Sequence, residues 1–226
     1  MKKFYSLLKI MSFITLCSFN SQLISQNQPL HLQNEVNVIN ALLNENWQGV
    51  YDLLKEVDIN NASPVSRLIK AHACLATNRN NESLRLYRSI ELTDSLTIKK
   101  NYSDWHLWTS DLVKKYPQSS VALYLYGDSY ARLMDWNNAL SMFKKADSIN
   151  PNNPIIFNAM GTIYSALNDG NNAIKYFDNS IKNGKTLAEP YISRATYNLK
   201  HSSGKEGVYN KMKESLKHSS NSILAL

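Results

Sequence analysis

The sequence predicts an all-α fold built from repeated helical hairpins. The chain has 226 residues, of which 43% are hydrophobic and 19% charged, so it can bury a core. Its 7 glycines and 6 prolines leave little room for a loop-rich all-β fold. Two stretches also carry nearly the same residues at the same offsets: "GDSYARLMDWNNALSMF" from Gly127 and "GTIYSALNDGNNAIKYF" from Gly161. Their spacing, a period of about 34 residues, indicates a repeated supersecondary unit.

Residues 1–25 have the layout of a secretory signal peptide. Lys2 and Lys3 precede an apolar run over 10–19, and polar residues follow. The run is too short for a comfortable membrane span. We therefore expect cleavage near Ser25 and export across the cytoplasmic membrane, to the periplasm, the cell envelope or the exterior of a bacterial cell.

Cys17 leaves a second possibility at the same end of the chain. A lipid-modified cysteine at the mature N-terminus would anchor the protein to a membrane, which would suit an envelope assembly factor. Leu16 directly before Cys17 departs from the pattern of bacterial lipoprotein signals. The spacing therefore favours Cys17 as one more apolar residue of the signal.

Residues 30–97 carry the repeat in a weaker form. Ser83 and Tyr87 have the spacing of a small and an aromatic residue, and Gly49 and Leu53 lie one period before them. We predict two degenerate hairpins in this range.

Residues 98–119 interrupt the period. Trp105, Trp108 and Leu112 recur at spacings of three and four residues, which is typical of an amphipathic helix. We predict an extra or displaced helix here. The tryptophans are expected in the core, while a ligand pocket or an enzyme site around Trp105, His106 and Trp108 stays open as an alternative.

Residues 120–187 carry two strong copies of the pattern. Small residues let two helices approach closely, and aromatic residues fill the space between them. The Asp and Asn residues of "LMDWNNA" and "LNDGNNA" favour turns and helix N-caps. The recurring positions are Gly127, Tyr130, Ala139, Phe143, Ala146 and Pro151 in the first copy, and Gly161, Tyr164, Ala173 and Phe177 in the second.

These offsets and their period resemble the tetratricopeptide repeat, a helix–turn–helix unit. The resemblance implies a right-handed α-solenoid whose first helices line a concave face. It places on that face six residues that we expect to bind an extended peptide or a helix of another protein: Tyr124, Asp128, Arg132, Asn158, Thr162 and Ser165. For any one of these residues, simple solvent exposure is the alternative. Some members of the family clamp a partner's C-terminal carboxylate, but Asp128 would repel one.

Residues 188–221 are predicted to form a partial repeat or C-terminal cap. Tyr191 and Ala195 are in register with the strong copies, whereas Lys211 stands where an aromatic residue is expected. A polar last helix is what the open end of a solenoid needs to stay soluble.

The charge distribution argues against nucleic acid as a partner. The net charge is +7, but Lys2, Lys3 and Lys9 lie in the N-terminal segment. Without these three, the basic residues only slightly outnumber the 18 acidic ones, and both kinds are scattered along the chain. No basic stripe of the kind that follows phosphates is present.

No pattern in the sequence points to catalysis, a metal or a cofactor. None of the 5 histidines is paired at metal-ligand spacing. The "NGKT" at 183–186 lacks the earlier glycine of a phosphate-binding loop, because Asn179 stands there. We therefore predict a non-catalytic scaffold for protein–protein interaction, with its oligomeric state open.

Overall fold

A computed structural model describes residues 32–56 and 62–201, and these contain ten α-helices and no strand. The all-α prediction is confirmed. The helices are α1 (Leu32–Leu43), α2 (Trp47–Leu54), α3 (Pro64–Ala76), α4 (Asn80–Glu91), α5 (Ser95–Lys115), α6 (Ser120–Arg132), α7 (Trp136–Ile149), α8 (Pro154–Ala166), α9 (Gly170–Asn183) and α10 (Ala188–His201). In the described ranges, no helix combines the length and the apolar character that a membrane span requires.

The helices form four hairpins and two single helices. The pairs are α1–α2, α3–α4, α6–α7 and α8–α9, and each packs along its partner. The long helix α5 stands between the second and third hairpins, where it packs on α6 and α3. Helix α10 packs on α9 and α8 at the C-terminal end of the described array.

The strong hairpins repeat one turn and one cap. Asp135 accepts a hydrogen bond from the Asn138 backbone N–H at 3.2 Å, and Asp169 accepts one from the Asn172 N–H at the same distance. Each therefore caps the second helix of its hairpin. The turn and cap roles predicted for these Asp and Asn residues are what the structure contains.

Within each strong hairpin, a glycine of the first helix faces a phenylalanine of the second. A Cβ atom on Gly127 would lie 2.6 Å from Phe143 Cε1, and one on Gly161 would lie 2.6 Å from Phe177 Cδ1. Both phenylalanines are buried. The missing side chain is therefore what allows each aromatic ring to lie against the neighbouring backbone.

The other recurring positions also pack within or between hairpins, apart from one proline. Ala139, Ala146 and Ala173 are fully buried. The Tyr164 ring stacks on Tyr176 of the same hairpin, with centroids 5.3 Å apart, whereas Tyr130 packs its ring against His106 of α5. Pro151 is exposed in the turn between α7 and α8.

The N-terminal hairpins contact the C-terminal repeats through two turns. Glu45 accepts hydrogen bonds from Asn150 Nδ2 at 2.7 and 2.8 Å. Asn78 donates from Nδ2 to the Thr186 carbonyl oxygen at 2.8 Å and accepts from the Ala188 N–H at 3.0 Å. The array thus curls until its two halves meet, so its inner face is partly covered by its own N-terminal helices.

Three predictions fall outside the described residues. They are the signal peptide over residues 1–25, the possible lipidation of Cys17, and the part of the C-terminal cap beyond His201 that includes Lys211.

Candidate functional site

A cavity of about 240 Å³ lies where the two halves meet. Trp47, His72 and Tyr87 line it from the N-terminal helices, and the opposite wall comes from α6, α8 and the start of α10. This volume is below the roughly 300–1,000 Å³ that is typical of pockets for drug-sized ligands. The cavity therefore suits one or two side chains or a small molecule, and a whole helix would not fit inside it.

Five of the six side chains that the sequence predicts to meet a partner line this cavity. They are Tyr124, Asp128, Arg132, Asn158 and Thr162. The sixth, Ser165, is half-buried and is not part of the lining. Whether these residues bind a partner stays a prediction.

Asp128 is the centre of a buried polar network. Its Oδ2 atom accepts hydrogen bonds from Arg132 Nε at 2.8 Å and from Trp105 Nε1 at 2.9 Å. His72 Nε2 lies 3.2 Å from the same oxygen, close enough for a charge interaction but outside hydrogen-bond geometry. Burial alone would raise the pKa of Asp128, but the charges of Arg132 and His72 outweigh it and hold this pKa well below its usual range.

The Arg132 side chain is fixed by two aromatic rings as well as by Asp128. The Tyr87 ring centroid lies 4.6 Å from its Cζ atom and the Tyr102 centroid 5.5 Å, both within cation–π range. Only 14% of its side chain is exposed. Burial lowers the pKa of Arg132, but the nearby Asp128 carboxylate outweighs that effect, so the pKa is raised and the guanidinium stays charged.

Tyr124 lies beneath the N-terminal half of the array. Its hydroxyl is hydrogen-bonded to His72 Nδ1 at 3.1 Å, and its ring lies edge-on to Trp47 with centroids 6.4 Å apart. Burial raises its pKa well above the usual value, so the phenol keeps its proton. The inner face is therefore covered at these residues, because His72 of α3 lies against Tyr124 and Asp128, and Tyr87 of α4 lies against Arg132.

Two polar groups in the cavity wall lack the partners that the others have. Asn158 Oδ1 is buried and has no hydrogen-bond partner in the part of the chain that the structure describes. Glu189 makes no ion pair with any described residue, and burial raises its pKa although a hydrogen bond with Ser193 acts in the opposite direction. Thr162 is exposed at the edge of the cavity, where its hydroxyl donates to the Asn158 carbonyl oxygen at 3.0 Å.

The Trp105, His106 and Trp108 group forms packing contacts. Trp105 is fully buried and stacks on Trp108 with centroids 5.5 Å apart. His106 Nδ1 is hydrogen-bonded to Ser129 Oγ at 3.0 Å, and burial lowers its pKa. None of these three residues belongs to the cavity lining, so the geometry supports the core interpretation of this helix. Over the described ranges, no cluster of three or more His, Cys, Asp or Glu residues could hold a metal ion.

The set of residues predicted to bind a partner did not include His72, Tyr87 or Glu189. His72 precedes Asp128 by one period of the repeat plus the interruption formed by residues 98–119. This spacing indicates that His72 occupies the same repeat position as Asp128 and therefore faces the inner side of the array. No comparable signal marks Glu189, which enters the cavity because α10 packs on α8.

Comparison with known proteins bears on the repeat. Residues 121–153 match the family model of the tetratricopeptide repeat. The sequence has no significant match among curated proteins. Among solved structures, the chain is similar to MamA MSR-1 in crystal form C2, with 14% identity, a TM-score of 0.42, and coverage of 81% of this chain and 95% of that chain. It is similar to MamA AMB-1 in crystal form P212121 with 14% identity, a TM-score of 0.41, and coverage of 84% and 93% respectively.

The family match covers α6, α7 and the turn that follows. The next hairpin repeats the same Gly–Phe contact and the same Asp cap one period later. The chain therefore contains a tetratricopeptide repeat over residues 121–153, and the α8–α9 hairpin repeats its contacts.

Proposed function

We propose that this chain is a non-catalytic scaffold that binds another protein at the cavity between its two halves. Tetratricopeptide repeats generally bind other proteins. The observation that carries the proposal is that five of the six side chains assigned to the inner face by the repeat register line one cavity.

The rigidity of the cavity wall supports a binding role. Asp128 and Arg132 are fixed by their hydrogen bond and by the surrounding aromatic rings, and Tyr124 is fixed by His72. Because these side chains are already ordered, binding orders mainly the partner, which lowers the entropic cost of association. The partner would lie across the mouth as an extended segment or a helix and insert one or two side chains.

A bulky residue at the mouth tests this site without disturbing the buried network. Thr162 is exposed and lines the cavity, so Thr162→Tyr should block entry and leave Asp128 and Arg132 paired. Ser141→Tyr adds the same bulk at an exposed position of α7 that does not line the cavity. In crosslinking pulldowns from envelope fractions, we expect Thr162→Tyr to lose its partners by about tenfold or more while Ser141→Tyr keeps them. Equal yields from the two variants would refute the site.

The proposed place of action is the bacterial cell envelope or the space outside it. The support is the signal-like layout of residues 1–25. The intact mass of the mature protein tests this: a chain that begins near residue 26 fits secretion, and an acylated chain that begins at Cys17 fits a membrane-anchored assembly factor. A mature chain that still begins at Met1 would contradict export.

A further inference from the structure

The polar groups of the cavity wall divide into those with a charged or hydrogen-bonded partner and those that could take one more. Arg132 Nε donates to Asp128 Oδ2, and the Tyr124 hydroxyl is hydrogen-bonded to His72 Nδ1. His72 Nε2 faces the same Asp128 oxygen at 3.2 Å. Asn158 Oδ1 is buried without a donor among the described residues, and the Glu189 carboxylate has no cation among them. Asn158 Oδ1 and the Glu189 carboxylate are hydrogen-bond acceptors, whereas His72 Nε2 also lacks a hydrogen bond among the described residues but already lies against the Asp128 carboxylate.

The charge balance around the cavity points the same way. Asp128 and Arg132 compensate each other in a close pair. Among the described residues, Glu189 is then the acid of the lining that no basic side chain neutralises. Burial raises the pKa of this carboxyl, which expresses the cost of holding its charge in the cavity wall. A cation beside Glu189 would remove that cost.

We propose that the cavity binds a protonated primary amine, supplied by a lysine side chain, a chain N-terminus or a small alkylamine. An ammonium group has three N–H donors and no acceptor, so it matches the two acceptors of the wall that lack a cation, Asn158 Oδ1 and the Glu189 carboxylate. Its alkyl stem would lie along the apolar part of the lining, which includes Ile155, Ile163 and Leu187. For the two protein sources, this inference rests on the scaffold function proposed above.

A carboxylate or phosphate ligand fits the same wall poorly. Such a ligand needs free donors, whereas the guanidinium of Arg132 is already paired with Asp128 and enclosed by Tyr87 and Tyr102. It would also face the Glu189 carboxylate and suffer like-charge repulsion. The cavity thus selects for cations, unlike the carboxylate clamp that some tetratricopeptide repeats carry.

The binding experiment uses the full mature chain and compares charge-matched probes by isothermal titration calorimetry. The small probes are n-butylamine and butyrate. The peptide probes are a short peptide with one lysine and the same peptide with that lysine acetylated. Both peptides have a blocked N-terminus. The matched variants are Glu189→Gln, in the cavity, and Glu56→Gln, at an exposed position outside its lining. Circular dichroism serves to check that both variants are folded.

We expect n-butylamine to bind and butyrate not to bind. Glu189→Gln should weaken amine binding by a factor of about 30 or more, and Glu56→Gln should leave it unchanged. Binding of the lysine peptide but not of its acetylated form assigns the site to a partner protein; binding of n-butylamine alone assigns it to a small amine. Absence of amine binding, or equal affinity in the two variants, overturns the proposal. The protein-scaffold function would survive that failure if Thr162→Tyr still loses its partners.

Discussion

At the scale of single residues, one carboxylate oxygen of Asp128 ties three helices together. This Oδ2 atom receives Arg132 Nε and Trp105 Nε1 and lies near His72, so it joins α3, α5 and α6. Removal of one partner of a buried pair is costly because the other charge is left without compensation.

Asp128→Asn should therefore cost about 3–5 kcal/mol of unfolding free energy, measured by urea denaturation at neutral pH. Asp111→Asn is the matched control, because Asp111 is exposed and its ion pair is with Lys114 on its own helix. That pair should be worth less than about 1 kcal/mol. Similar losses in the two variants would contradict a structural role for the network.

The stabilisation that Asp128 provides should also depend on pH. Because the folded-state pKa of Asp128 is lowered, its contribution to the unfolding free energy should be complete above the unfolded pKa of about 3.9 and lost as the pH falls below it.

Glu189 should show the opposite dependence on pH. Its folded-state pKa is raised by burial, so the folded protein holds its proton more tightly than the unfolded chain does. Wild-type stability should therefore fall as the pH rises from about 4.3, the unfolded value, through the folded pKa. Glu189→Gln should be the more stable protein at neutral pH, with the difference closing near the unfolded pKa. Thermal denaturation across this range checks the sign. A wild type that is more stable than Glu189→Gln at neutral pH would contradict it.

At the scale of elements, the hairpin turns contain residues in the left-handed region. Met134 has φ 60°, and Asn168, one period later in the twin turn, has φ 58°. Asn tolerates this conformation better than Met, because its short polar side chain bonds locally. The two hairpins therefore differ in turn chemistry although their packing is the same.

Met134→Asn should raise the stability by about 0.5–1 kcal/mol. Little packing is lost, since 73% of Met134 is exposed. The reverse change at the twin position, Asn168→Met, should cost a similar amount. Guanidinium denaturation of both variants measures these changes in stability. A loss of stability in Met134→Asn would contradict the prediction, because it would show that contacts of the Met134 side chain stabilise the protein more than an Asn in the turn does.

Contacts that recur in both strong hairpins can be predicted from the sequence, whereas a contact that occurs once cannot. Gly127 with Phe143 and Asp135 with Asn138 recur one period later, so the sequence states each contact twice. The pairing of Tyr124 with His72 has no such second copy, and 52 residues separate the two. The covering of the inner face was therefore missed, because it depends on how degenerate hairpins pack on regular ones.

At the scale of the whole molecule, closure distinguishes this array from an open solenoid. In an open array each repeat contacts only its neighbours, and stability is a sum of local terms. Here Glu45 and Asn78, both in the left-handed region at hairpin turns, bond to residues 105 to 110 positions further along the chain. Such contacts couple the first hairpin to the α7–α8 turn and the second hairpin to the start of α10.

This coupling predicts a long-range effect of Asn78→Gly. Glycine accepts the φ of 60° at this position, so the change removes the side-chain bonds to Thr186 and Ala188 without straining the turn. Loss of these bonds should cost about 1–2 kcal/mol locally, and amide hydrogens of α10 should exchange about 5–30 times faster in hydrogen-exchange mass spectrometry.

Asn168→Gly is the matched control for this effect. It makes the same substitution at the equivalent turn position of the α8–α9 hairpin, where the side chain is exposed and bonds to no described residue. It should leave the exchange of α10 unchanged, although Asn168 lies nearer to α10 in the sequence than Asn78 does. Equal exchange over residues 188–201 in the two variants would mean that the array is open and that the cavity between its halves is not held closed by these turns.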